Sequence, residues 1–175
     1  MDEPLAKAHQ AIGAYFCAFS ELEHELGEVL KIVLRLQNNP AADAIVAAVR
    51  DFARKAAIVR EAIEGAKNID GSEPSSEWKS NALKTMEAVF GCNNPDRRDL
   101  SHDYLKPQPD GSISLQKPGE PARPWSAADF DSKTQKLKNL TNELRSAGTQ
   151  LMTYKVQIPV PSNWMARNVA LLNSD

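Results

Sequence analysis

The chain has 175 residues, 42% of them hydrophobic, 25% charged and 6% aromatic, with a formal net charge of -2. That length suits one well-packed domain and is too short for two comfortable ones. The slight negative charge excludes bulk attraction for a nucleic-acid backbone, so any such contact must be local.

In chain order, the first element expected is a helix from about Leu5 to Leu36. Ile12, Tyr15, Phe19, Leu22, Leu26, Val29, Val33 and Leu36 recur at alternating steps of three and four, which is one apolar stripe on a helix. Gly13 and Gly27 fall off the stripe. Asn38-Asn39-Pro40 reads as a polar cap followed by proline at a first helical position. A second helix is expected from there to about Lys67, with Ile45, Val49, Phe52, Ala56, Val59 and Ile63 inward. Arg50, Asp51, Arg54, Lys55, Arg60 and Glu64 form its solvated face. Residues 68–76 have the composition of a loop. A third helix, from about Ser75 to Gly91, should bury Trp78, Ala82, Met86, Val89 and Phe90.

Asn93-Asn94-Pro95-Asp96 repeats the cap-and-proline signal, and the short helix that it opens should be ended by Pro107 and Pro109. Pro109-Asp110-Gly111 followed by the alternating Ser112-Ile113-Ser114-Leu115-Gln116 predicts a small hairpin or β-flap. The prolines keep its partner strand at an edge, and the flap is expected beside the short helix and not in a core. Ser126-Ala127-Ala128-Asp129 is a capping box with Asp in place of Glu. It opens a last helix whose stripe runs through Phe130, Leu137, Leu140, Leu144, Ala147, Leu151 and Tyr154 to about Val156. These elements predict an all-α, up-and-down bundle of four to five helices over residues 1–157. Residues 158–175 are expected as an extended C-terminal tail that docks on the bundle or on a second subunit. Within it, Trp164 to Leu172 is apolar.

Cys17 and Cys92 are far apart and lack metal-ligand or redox spacing, so both are expected as reduced, half-buried packing residues. No apolar run approaches a membrane span and Met-Asp-Glu-Pro carries the wrong charge for a signal peptide, which makes the cytoplasm the expected compartment.

The chemistry is concentrated in Arg97-Arg98-Asp99-Leu100-Ser101-His102-Asp103-Tyr104. A guanidinium holds phosphate, an imidazole moves a proton near neutral pH and a phenol donates a hydrogen bond. With Asn94 as cap, Arg97 falls in the first turn of the short helix, where free N–H groups and the dipole favour an anion. On a helix, Arg97 and His102 are about 140° apart, whereas Arg98 and His102 share a face. Spacing alone therefore selects Arg98 as the partner of His102. In the plain structural alternative, the arginines bridge Asp96, Asp99 or Asp103 and His102 is a half-buried histidine.

Arg97-x4-His102-x-Tyr104 resembles the Arg-x4-His-x-Tyr form of the HEPN superfamily signature. The flanks are similar too: a long first helix bearing Phe19-Ser20-Glu21-Leu22-Glu23, a helical hairpin, a flap after the motif and a closing helix. Only the motif is sharp, although the likeness of pattern covers residues 10 to 155. Arg98 departs from the family pattern, in which a polar residue, often asparagine, follows the motif arginine. The resemblance implies a helical bundle acting as a homodimer and a metal-independent endoribonuclease in a toxin–antitoxin or phage-defence setting. It implies His102 as general acid/base at the RNA 2′-hydroxyl and Arg97 on the scissile phosphate, with Arg98 as an auxiliary phosphate contact. Tyr104 matches a position that is modified by adenylylation in one subfamily, and an antitoxin or defence-system protein would be the partner. The alternative is a non-catalytic HEPN-like module that binds a nucleotide, RNA or protein.

No cofactor or metal is expected. Glu21-x-x-His24 has the carboxylate–histidine step of di-iron bundles, but Glu21, Glu25 and Glu28 read as a solvated face.

Overall fold

The computed structural model describes residues 3–92, 104–116 and 123–156. Its helices are α1 (Glu3–Val33), α2 (Ala42–Ala48), α3 (Phe52–Glu64), α4 (Ser76–Cys92) and α5 (Ala127–Leu151). Its strands are β1 (Ala66–Lys67), β2 (Tyr104–Pro107), β3 (Ile113–Gln116), β4 (Arg123–Trp125) and β5 (Lys155–Val156). The protein is a mostly helical bundle with small antiparallel β elements. Among the described residues no helix is long and apolar enough to cross a membrane.

Four helices close a ring around the core. α1 packs on α3 and α5, and α4 packs on the same two from the opposite side. The stripes supply the interior: Leu22, Leu26 and Leu30 of α1, Ala56, Val59 and Ile63 of α3, Met86 and Val89 of α4, and Phe130 and Leu144 of α5 are fully buried. Burying a side chain of this size contributes about 1.5–3 kcal/mol, so the stripe pattern is the main stabilising device of the bundle.

The first helix ends three residues earlier than its stripe. Arg35 takes a left-handed φ of 56°, the amide of Leu36 donates to Lys31 O (2.8 Å) and that of Arg35 to Ile32 O (3.0 Å). This pair of bonds is the Schellman stop, here built on arginine where glycine is usual. The expected second helix is in fact two. Asp51 accepts a bond from the amide of Arg54 (3.1 Å) and caps α3, so the backbone leaves the helix at Val49 and Arg50. An aspartate side chain competes with the helix ladder for a free amide, and here it wins. The break turns α2 about its axis: Val46 is buried and Ile45 is 39% exposed, the reverse of the expectation for Ile45. Phe52, at the start of α3, is thereby set against Phe19 with ring centroids 5.4 Å apart.

Tyr104 also departs from expectation. It begins strand β2 and is not the end of a helix. The segment after the motif is larger than a hairpin, a three-stranded sheet in the order β2-β3-β4. Tyr104 pairs with Gln116, Pro107 with Ile113, and Ile113 in turn with Trp125. Pro107 and Pro124 sit on the two edge strands, as a residue without an N–H must. The expectation that this flap stays out of the core fails at Ile113, which is fully buried. The turn between β2 and β3 lies against the start of α1, where a Cβ on Gly111 would come 3.0 Å from the Pro4 Cβ. A second ladder was not foreseen: α5 stops at Leu151 and β5 pairs with β1, Ala66 opposite Val156.

Candidate functional site

Arg97, Arg98 and His102 lie outside the described residues, as does the 158–175 tail; of the motif, the backbone of Tyr104 is described. The structure describes the frame on either side of the motif: Cys92 is the last residue of α4, and Tyr104 is the first residue of β2.

The α5 end of this frame is held by its cap and by an aromatic cluster. Ser126 accepts from the amide of Asp129 (3.1 Å), and the Asp129 carboxylate accepts from the amide (2.8 Å) and hydroxyl (2.7 Å) of Ser126. Those bonds hold the Asp129 carboxyl below its ordinary range. Next to the cap, Trp125 of β4 meets Phe130 of α5 at 5.1 Å, and Phe130 meets Tyr15 of α1 edge-on at 5.8 Å. One row of rings thus ties the sheet to both long helices.

Burial pushes the Cys92 thiol up, and the positive charges of Lys136 and Lys133 act against that push. Lys133 Nζ also lies 4.7 Å from the centre of the Trp125 ring.

Away from this frame, the helical polar faces are more organised than their spacing suggests. Glu25, expected among solvated glutamates, is buried on α1. Its Oε2 accepts from Arg145 Nε (2.9 Å) and pairs with Nη2 (2.7 Å) on α5. Lys55, also expected in solvent, is buried on α3 with Glu23 of α1 at 3.6 Å. Glu21 and His24 line a shallow groove of about 300 Å³ between α1 and α5 with Lys138, Thr141, Asn142 and Arg145. Among the described residues no group of three or more His, Cys, Asp or Glu side chains is placed to hold a metal ion. A larger groove of about 640 Å³ separates α4 from α5, with Trp78, Thr85 and Glu143 in its lining. Of the two cysteines, Cys92 is half-buried as expected, whereas Cys17 is exposed.

No family model matches the chain, and no curated protein or solved structure matches it either.

Proposed function

We propose that the protein is a metal-independent endoribonuclease of the HEPN type, acting as a homodimer. The observation that carries this reading is the Arg97-x4-His102-x-Tyr104 motif. In support, the chain is a mostly helical bundle, and in sequence the motif follows the end of α4 and runs into the first strand of a small sheet. His102 takes the proton of the RNA 2′-hydroxyl as the 2′-oxygen bonds to phosphorus. The bond from phosphorus to the 5′-oxygen breaks, that oxygen leaves with a proton, and a 2′,3′-cyclic phosphate remains. Arg97 stabilises the charge that builds on the phosphate oxygens, and Arg98 adds a second guanidinium. In the dimer two motifs face one cleft, so an arginine of one chain and a histidine of the other serve the same phosphate. This removes the difficulty of the wide angle between Arg97 and His102 on one helix.

The test is cleavage of total RNA and tRNA by purified protein in EDTA, wild type beside His102→Ala, with both shown to elute as the same oligomer. The wild type is expected to cut, and the variant to lose about 100-fold or more of the rate, the usual share of a general acid/base. No cleavage by either protein would remove the nuclease reading and favour the binding module, a reading to which the net charge of -2 also lends weight. Equal cleavage by both would remove His102 from the chemistry.

A further inference from the structure

We infer that the groove between α1 and α5 binds a small phosphate monoester, a phosphorylated sugar, through Arg145, Lys138, Asn142 and His24. None of these residues belongs to the motif, so the site is independent of the nuclease reading. The groove holds about 300 Å³, at the small end of the range for small-molecule sites. Lys138, Asn142 and Arg145 all line it and fall within about 60° of one another around α5.

Arg145 is held from behind. Glu25, buried on α1, accepts from its Nε (2.9 Å) and pairs with its Nη2 (2.7 Å) through one and the same oxygen. One edge of the guanidinium is thus filled, and the end that carries Nη1 is left for a ligand. Nη1 lies 3.5 Å from Asn142 Oδ1, which leaves the Asn142 Nδ2 group to donate. Burying a carboxylate is a costly way to support a surface arginine. What it provides is a fixed fork, the geometry that suits a phosphate. Lys138 adds an ammonium, and its neighbours one turn away, Thr134, Gln135, Thr141 and Asn142, carry no charge. From α1, His24 adds an imidazole whose Nε2 is 4.0 Å from Glu28 Oε1, too far for a hydrogen bond.

The nearby carboxylates are accounted for in turn. Glu25 is taken up by Arg145 and Glu28 by Lys31, which leaves Glu21 as the acceptor in the groove. The Thr141 hydroxyl donates to Leu137 O (2.9 Å) and only closes the floor. Four donor side chains facing one acceptor suit a ligand with a phosphate at one end and a hydroxyl at the other. The phosphate oxygens take the donors, and the hydroxyl donates to Glu21. A carboxylate has too few oxygens for this set, and a bare phosphate gives Glu21 nothing to accept.

The experiment is isothermal titration calorimetry of the full chain with inorganic phosphate and with ribose 5-phosphate. The sugar phosphate is expected to bind about tenfold tighter than phosphate, as one added hydrogen bond to a charged group requires. Lys138→Ala should weaken both about tenfold, and Arg145→Lys, which keeps a cation against Glu25 but loses the fork, should do the same. Glu21→Ala should remove the preference for the sugar. Lys136→Ala, an exposed lysine about 200° around α5 from Lys138, should change nothing. Lys138 and Glu21 are exposed, so thermal melting of their variants should match the wild type and separate loss of contact from loss of fold. No heat of binding with either ligand in the millimolar range overturns the inference. So does binding that Lys138→Ala and Arg145→Lys leave unchanged. Equal affinity of the wild type for the two ligands overturns the assignment of a sugar phosphate.

Discussion

At the scale of single residues, Gly148 sets the distance between the two longest helices. A Cβ at this position would come 2.5 Å from Val29 Cγ2 across the α1–α5 interface, whereas a Cβ on Gly13 meets nothing within 4 Å. Alanine gains up to about 1 kcal/mol over glycine in a helix, and overpacking a core costs about 1–3 kcal/mol. Gly148→Ala is therefore expected to destabilise the protein by up to about 2 kcal/mol, and Gly13→Ala to stabilise it by about 0.5–1 kcal/mol. Chemical denaturation of the two variants checks the contrast, and equal shifts in one direction would contradict it. The tripeptide Asp-Gly-Ser shows a different kind of control. Asp70-Gly71-Ser72 and Asp110-Gly111-Ser112 stand in unrelated settings, one before α4 and one between β2 and β3. In both, aspartate Oδ1 accepts from the serine amide at 2.9 Å and from its hydroxyl at 2.7 Å. In both the glycine has a positive φ, 90° and 84°. Those serine bonds depress both carboxyl pKa values. Here the local sequence is sufficient, because every partner lies within two residues.

Among the elements, α5 has the start that its sequence announces. Its capping box depends on an ionised Asp129, whose pKa is lowered first by the Ser126 amide and then by the Ser126 hydroxyl. A folded value below the unfolded one means that the stabilisation is complete above the unfolded carboxylate range, about pH 4. It is lost as pH falls through the lower, folded value. Asp129→Asn is thus expected to lower the melting temperature at neutral pH, with the gap to wild type narrowing as the pH falls below the unfolded carboxylate range. A gap that persists in acid would mean that the carboxylate charge is not what the cap uses. The second helix was less legible. Its apolar spacing runs on through Val49 and Phe52, and periodicity cannot register one side-chain hydrogen bond, donated by the Arg54 amide to Asp51, that divides α2 from α3. Glu25 and Lys55 escaped for a related reason. Spacing puts both on a polar face, and only the approach of Arg145 and Glu23 from other helices makes their burial tolerable.

For the molecule as a whole, the β2-β3-β4 sheet is part of the core and not an appendage. Ile113 is fully buried, and the row from Trp125 through Phe130 to Tyr15 joins sheet and bundle. Ile113→Ala is expected to cost about 2–4 kcal/mol, within the range for a buried isoleucine. Unfolding followed by tryptophan fluorescence and by far-ultraviolet circular dichroism should still coincide, since sheet and helices share one interior. A separate, earlier fluorescence transition would show that the sheet folds as an independent unit. The sheet begins at Tyr104, the last residue of the motif, and α4 ends at Cys92, so on the proposed nuclease reading a loosened sheet is expected to weaken RNA cleavage without any change in His102.

What the sequence determined by itself was whatever depends on neighbours along the chain. The helical class, the stripes of α1, α4 and α5, the Ser126 cap, the Asp-Gly-Ser turns and the motif that suggests the chemistry are all of that kind. Helix periodicity and capping are short-range, with partners three or four residues away. Tertiary structure decided what depends on partners distant in sequence. It paired β1 with β5 across about half of the chain, drew Ile113 into the core, buried Glu25 against Arg145 and set Lys133 over the Trp125 ring. Such choices rest on burial and Coulomb energy between surfaces that meet only after the chain has folded, and no local pattern encodes which surfaces those will be.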